Sequence, residues 1–334
     1  MRRTFTLGFL LLAHWLSPAH AQHAGAFSRM GFGARGIAMG NAVTADATGY
    51  ASPYYNPALA PFLVRQSVDV SAALMSLDRQ LQFVQLSAPL RPRAGIAGGL
   101  VHAGVDSFDG RNASGYHTGT FAVHEYAFFI AFGVRLKRRT TVGVGFQLFR
   151  SDLFANVAAA RSIGIDLGMS YRVTEQLRIG AVADDLLASY GWDTSKHRSA
   201  GGNTRDAFPR RIRLGASYQL PQLYLSAEYE SRFVVKEVFH RTVQESGGTL
   251  REVISSEKLT LHETGFRAGI EYQLISALTV RGGAASAGQG AVRPSAGFMV
   301  MQPLGEVAIH AAYAFVLEPY ALGTIHLITL RFFL

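Results

Sequence analysis

The chain has 334 residues, 49% of them hydrophobic and only 16% charged, with no cysteine and a formal charge of +9. The missing cysteine excludes a lipid-anchored lipoprotein, a disulfide framework and any thiolate metal site. The positive excess is spread along the chain, which argues against a nucleic-acid partner, and a soluble domain carries nearer a quarter charged residues.

The first residues read as an export signal. Met1-Arg2-Arg3 is a short basic lead, Phe5 to Trp15 is apolar, and Ala19-His20-Ala21 has the small-x-small pattern of a cleavage site. About eleven apolar residues are too few to cross a hydrocarbon core of roughly 30 Å. Residues 1–21 are therefore expected to be a signal peptide, and the mature chain to begin at Gln22.

Residues 22–64 differ from all that follows. Gly31-Phe-Gly-Ala-Arg-Gly-Ile-Ala-Met-Gly40 is too glycine-rich for an independently stable helix, and its small residues suit close packing in a confined space. Asn56-Pro57-Ala58 is a turn signal with a proline-fixed φ. The segment has little charge but holds Phe, Met and three Tyr, a composition that packs rather than stays disordered. It is expected to be a hatch seated inside a barrel, with Asn56, Pro57 and Ala58 as its motif.

From residue 65 to 334 apolar and polar residues alternate in segments of about ten, the pattern of transmembrane strands. Ile212, Leu214, Ala216 and Tyr218 share one face, against Arg211, Arg213, Gly215, Ser217 and Gln219 on the other. Phe266, Ala268, Ile270 and Tyr272 likewise oppose Arg267, Gly269, Glu271 and Gln273. Fourteen such segments lie near 65–75, 80–89, 94–105, 121–134, 140–151, 161–172, 177–186, 210–220, 222–234, 260–274, 277–286, 292–302, 305–316 and 323–334. The fold class is thus all-β: a transmembrane antiparallel barrel of about fourteen strands with an N-terminal lumenal hatch.

The connections largely alternate in length, with the first, sixth and seventh external loops short, as in barrels with short periplasmic turns and long external loops. Short links fall at 89–93, 136–139, 173–176, 221, 275–276 and 303–304, and the longer ones at 106–120, 152–160, 187–209 and 235–259. Both ends of the barrel then lie on the periplasmic side, and Lys137-Arg138-Arg139 reads as solvated charge on a periplasmic turn. A soluble β-sandwich fits less well, because mid-strand Arg, Glu and Gln would occupy its core. Aromatics near segment ends (Tyr171, Tyr218, Phe233, Tyr272, Phe315, Phe332) suit an interfacial girdle. The closing stretch from His326 to Leu334 resembles a terminal strand recognised by the barrel-assembly machinery, although it ends in leucine after Phe332 and Phe333.

Gly33-Ala-Arg-Gly-Ile-Ala-Met-Gly-Asn-Ala42, Asp46-Ala-Thr48 and Tyr54-Tyr-Asn-Pro-Ala58 resemble the opening of the FadL-like outer-membrane proteins, nearest the PorV/PorQ branch. Asp166–Arg172, Arg210–Tyr218 and Leu322–His326 extend the likeness over nearly the whole mature chain. The resemblance implies a fourteen-stranded barrel plugged by an N-terminal hatch. In one branch hydrophobic small molecules pass through the wall or hatch region; in the other the barrel is a partner in type IX protein secretion. Leu177-Arg-Ile-Gly180 follows the family pattern, but Asp184-Asp185-Leu186 stands where an asparagine is usual, so no inherited ligand role is carried over there.

Candidate chemistry is sparse. His124-Glu125 and His262-Glu263 are neighbours on strands, so each pair points to opposite faces and cannot act jointly. Asp184-Asp185 reads as rim carboxylate, and no phosphate loop or metal-ligand spacing is present. No catalytic residue, cofactor or metal is expected. Inward charges in an otherwise polar lumen should be paired: Glu271 falls opposite Arg281 across the turn at 275–276, and Arg213 falls within one residue of Glu228 across the turn at Pro221. The reading is a non-enzymatic barrel of the bacterial outer membrane, in contact with outer-membrane lipid and lipopolysaccharide. It would handle hydrophobic compounds or exported cargo. The alternatives are a secretion scaffold without small-molecule transport and, more remotely, a hydrolase.

Overall fold

The structure, a computed structural model, describes residues 23–153, 157–193, 195, 202–246, 249–286, 291–304, 307–319 and 323–334. The expected signal peptide lies outside them. Fourteen strands close into one antiparallel barrel. On the first half of the wall stand β1 (Ser67–Met75), β2 (Arg79–Leu90), β3 (Ala94–Arg111), β4 (His117–Lys137), β5 (Thr140–Asp152), β6 (Ala160–Arg172) and β7 (Leu177–Asp184). After a separate two-stranded hairpin, β8 (Ser189–Asp193) and β9 (Asn203–Ala207), come β10 (Arg210–Gln219), β11 (Leu223–Ser246) and β12 (Thr249–Ile275). The wall is completed by β13 (Leu278–Ser286), β14 (Val292–Leu304), β15 (Val307–Leu317) and β16 (Thr324–Phe333), which pairs back on β1 with Ser67 opposite Phe333. Closure leaves no free sheet edge, as a strand structure in lipid requires.

Period two sets which side chains face out. Ile212 and Leu214 are about half exposed on the outside, while Arg211 and Arg213 between them are buried inside. Tyr218 and Tyr272 are exposed near the ends of their strands, whereas Phe233, also exposed, lies mid-strand because β11 runs on to Ser246. Two of the expected loops are not loops. Most of 106–120 continues β3 and β4, and nearly all of 235–259 continues β11 and β12, paired from Leu223–Tyr272 to Ser246–Thr249. In the extension of β3 and β4 residues 106–109 and 117–120 are largely exposed on both strand faces, so the alternation that marks a spanning strand disappears there although the ladder runs on.

The lumen is occupied by the chain ahead of β1. It holds a short 3₁₀ turn at Ala26–Arg29, one helix, α1 (Gly33–Ala38), and a second 3₁₀ turn at Pro57–Phe62. Helix α1 packs on β13 to β16 and β1, and the second turn packs on β2 to β6. Glycines on the wall make room for this approach. A Cβ at Gly143 would overlap the backbone of Pro57, and one at Gly168 would overlap the side chain of Asn56.

Candidate functional site

Asn56 is fully buried and organises the turn that follows it. Its Oδ1 accepts from Ala58 N (2.9 Å), and its Nδ2 donates to Thr44 O (2.7 Å) and to Met169 O on β6 (3.3 Å). Pro57 stands at the first position of the 3₁₀ turn, where its missing N–H costs nothing. The motif is therefore an anchor that joins the N-terminal segment to one wall.

The opposite wall holds the segment through charge. Glu271 on β12 lies opposite Arg281 on β13, and Arg281 Nε is 2.6 Å from Glu271 Oε2. The same carboxylate receives Arg35 of α1 (2.9 and 3.2 Å), which also contacts Asp46. Burial lowers the Arg35 pKa, but Asp46 and Glu271 outweigh it and hold the guanidinium above its ordinary value. The Arg of the Gly-Ala-Arg motif and the Asp of Asp-Ala-Thr thus meet in space, a pairing that their eleven-residue separation does not reveal.

Arg213 differs from expectation. The register sets it opposite Glu230, so Glu228 is two residues along rather than one, and Arg213 Nη1 approaches Glu228 only to 3.8 Å. Its stronger partner is Asp184 on β7, at 2.6 and 2.9 Å, and it also donates to Tyr55 O (2.5 Å). Glu228 contacts Arg267, and Arg267 lies 2.6 Å from Glu230. Reasoning over a single hairpin missed β7 and β12, the other neighbours of β10 and β11. The polar face that alternation gives for 266–273 already holds Arg267, so that part of the signal is present in the sequence. Asp184 and Asp185 are not solvent-facing rim acids: both are buried, and Asp185 lies 3.3 Å from Arg211. Asp185 also has φ +57, a left-handed conformation that Asn and Asp tolerate best among side-chain-bearing residues.

The His-Glu pairs split as their spacing requires. Glu125 faces Tyr190 across the lumen (3.5 Å), while His124 pairs with His102 (3.2 Å). Glu263 pairs with Arg232, and His262 stacks on Phe233.

The lumen is not uniformly polar. Between β14 and β5, by way of β1, its upper wall is apolar, with Val316, Leu327, Leu81, Phe83, Val101 and Phe129 all buried. Phe32 of the N-terminal segment sits among Phe83, Phe129 and Tyr54, with ring centroids 4.9, 5.5 and 5.2 Å away. A second aromatic group runs from Phe27 to Phe149 and on to Phe208, just after β9, and Tyr190 of β8, and both groups belong to one buried apolar core. Residues 187–209 read as a polar loop in sequence; in space Ala188, Tyr190 and Phe208 of that stretch are buried in the apolar core. Phe128 faces out and Phe129 faces in, so aromatics on both faces hid this wall from a periodicity argument. A cavity of about 50 Å³ lies between α1 and the wall, lined by Phe32, Tyr55, Met299, Ala312 and Thr329 together with Arg35.

No protein-family model matches the chain, and no curated protein does. Solved structures do. The toluene transporter TodX of Pseudomonas putida is 13% identical with a TM-score of 0.56, over 90% of this chain and 96% of its own. The CymD monoaromatic hydrocarbon channel is 15% identical with a TM-score of 0.54, over 91% and 96%. A Pseudomonas aeruginosa FadL homologue is 13% identical with a TM-score of 0.56, over 90% and 97%. At these identities the likeness establishes a shared barrel fold.

Proposed function

We propose that this protein is exported by its signal peptide to the outer membrane and admits small hydrophobic compounds there, with residues 22–64 acting as the hatch. The observation that carries this reading is the buried apolar core, in which the aromatic group Tyr190–Phe208–Phe149–Phe27 at the β8–β9 hairpin and the group Phe83–Phe129–Phe32 on the hatch belong to one cluster. A continuous apolar path matches a hydrophobic solute, whereas the charged wall braces the hatch on the other side. The toluene transporter and the monoaromatic hydrocarbon channel of like fold support the same solute class.

The resting state is closed. An apolar cavity of roughly 150 Å³ is needed to hold benzene, and the cavity beside Phe32 measures about 50 Å³. Passage therefore needs Phe32 to move. It stands between Gly31 and Gly33, whose φ values of +117 and +71 are open to glycine, so the ring can swing while its neighbours keep their places.

A second reading, a PorV/PorQ-like scaffold in protein secretion, is favoured by the β11–β12 hairpin. Its strands are 24 and 27 residues long, against the 9–11 that a span needs, and the excess projects where a partner could dock. A deletion strain separates the two. The transport reading expects slowed uptake of labelled toluene, restored by the wild-type gene, with an unchanged secreted proteome. Normal uptake with lost secretion would reject it in favour of the scaffold.

A further inference from the structure

We propose that the barrel carries, at its short-turn mouth, a binding site for phosphate-bearing anions that is separate from the hydrophobic path. The site is built by three neighbouring turns, those joining β2 to β3, β4 to β5 and β6 to β7, which strand order sets side by side. Between them lies a cleft of about 600 Å³, within the 300–1,000 Å³ range of small-ligand sites. Arg93, Arg138 and Arg139 line it from the turns, and Arg135, Arg172 and Arg178 line it from the strands of the wall. The basic run that reads in sequence as solvated turn charge is thus one side of a cationic basin.

Little in the chain offsets this charge. Among the described residues the one carboxylate within ion-pair distance of these arginines is Glu175, 3.1 Å from Arg172, and its own side chain is 79% exposed. Arg135 and Arg178 both stack on the ring of Phe62, at 5.5 and 4.5 Å. That contact holds two like charges beside each other without neutralising either. A second observation points to a ligand: Thr141 lines the same cleft, is 2% exposed, and its hydroxyl has no hydrogen-bond partner among the described residues. Guanidinium forks suit the several oxygens of a phosphate group, and a single carboxylate would leave most of this charge unmatched. The phosphate could belong to a free anion or to the headgroup of an anionic phospholipid, since Leu136, which also lines the cleft, is an exposed apolar side chain.

The test uses the purified, folded barrel in non-ionic detergent at about 10 mM salt, where surface charge is weakly screened. Inorganic pyrophosphate is titrated by calorimetry, and retention of phosphatidylglycerol against phosphatidylcholine is read by native mass spectrometry. Binding should weaken by roughly tenfold or more in Arg135→Gln/Arg178→Gln, and also in Arg138→Gln/Arg139→Gln, whose positions on an exposed turn leave the Phe62 contacts intact. Pyrophosphate binding with no lipid preference identifies a soluble anion. Retained phosphatidylglycerol that pyrophosphate displaces identifies a headgroup. If wild type binds neither probe, or both double variants bind as wild type does, the proposal is wrong.

Discussion

Removing Glu271 should cost more than removing Arg281, and removing both should cost less than the two losses added together. Glu271 accepts from two arginines, Arg281 at 2.6 Å and Arg35 at 2.9 Å, and the three side chains are 17%, 2% and 10% exposed. Glu271→Ala strands Arg281 without any carboxylate in ion-pair range among the described residues and leaves Arg35 with Asp46, a loss of about 3 kcal/mol, the low end for a broken buried pair. Arg281→Met fills the space and leaves Glu271 paired with Arg35, so it should cost about 1 kcal/mol. The double variant keeps only the Arg35–Asp46 pair and should cost about 2 kcal/mol, a coupling of about 2 kcal/mol between the sites. Urea titration in micelles, read by the gel mobility of folded and unfolded barrel, measures all three. Gel mobility is the better probe because Trp192, the one tryptophan after residue 21, stands in the β8–β9 hairpin rather than in the wall. Additive losses, or an Arg281 variant as unstable as the Glu271 variant, would refute the idea that one carboxylate serves two cations.

Gly143→Val should drive its side chain into the Pro57 backbone and dislodge the N-terminal segment; planar-bilayer recordings should show open channels absent from wild type, and a silent variant would count against a close-packed plug. Asn56→Ala removes a turn cap and leaves Thr44 O without its side-chain donor, costing about 2 kcal/mol; limited proteolysis should then cut within 23–64 while the barrel's own heat-shift on gels stays in place. Phe32→Ala should enlarge the 50 Å³ cavity enough to retain a monoaromatic, detectable as saturable toluene binding that wild type lacks at rest. Asp185 has its pKa raised by burial and by Asp184, against the lowering pull of Arg211 and Arg29. A raised acid is penalised when ionised, so stability falls as pH climbs from the unfolded Asp range through the folded value. Asp185→Asn keeps the left-handed backbone and should flatten that decline; an unchanged pH profile would show that Asp185 ionises without penalty.

Much of this fold is legible in the chain because period-two alternation is local: each spanning strand records in its own residues which side meets lipid. Fourteen segments, their antiparallel succession and the ends of most spans follow from that alone. The approach of Glu271 to Arg281 is equally local, since a tight turn sets the register of its hairpin. Contacts that depend on closure are not recorded this way. Arg213 meets Asp184, Arg35 meets Asp46 and Glu271, and Asn56 reaches Met169 O, each pair separated by chain that carries no information on distance. Nor does polarity in a loop reveal that Tyr190 and Phe208 turn inward, or that Arg93, Arg135, Arg139 and Arg178 converge on one cleft. The sequence by itself determined a closed wall with one apolar face, because lipid imposes that pattern on every strand. Only the tertiary structure decided how the lumen is filled, because residues from every strand and from the N-terminal segment compete there for the same few partners.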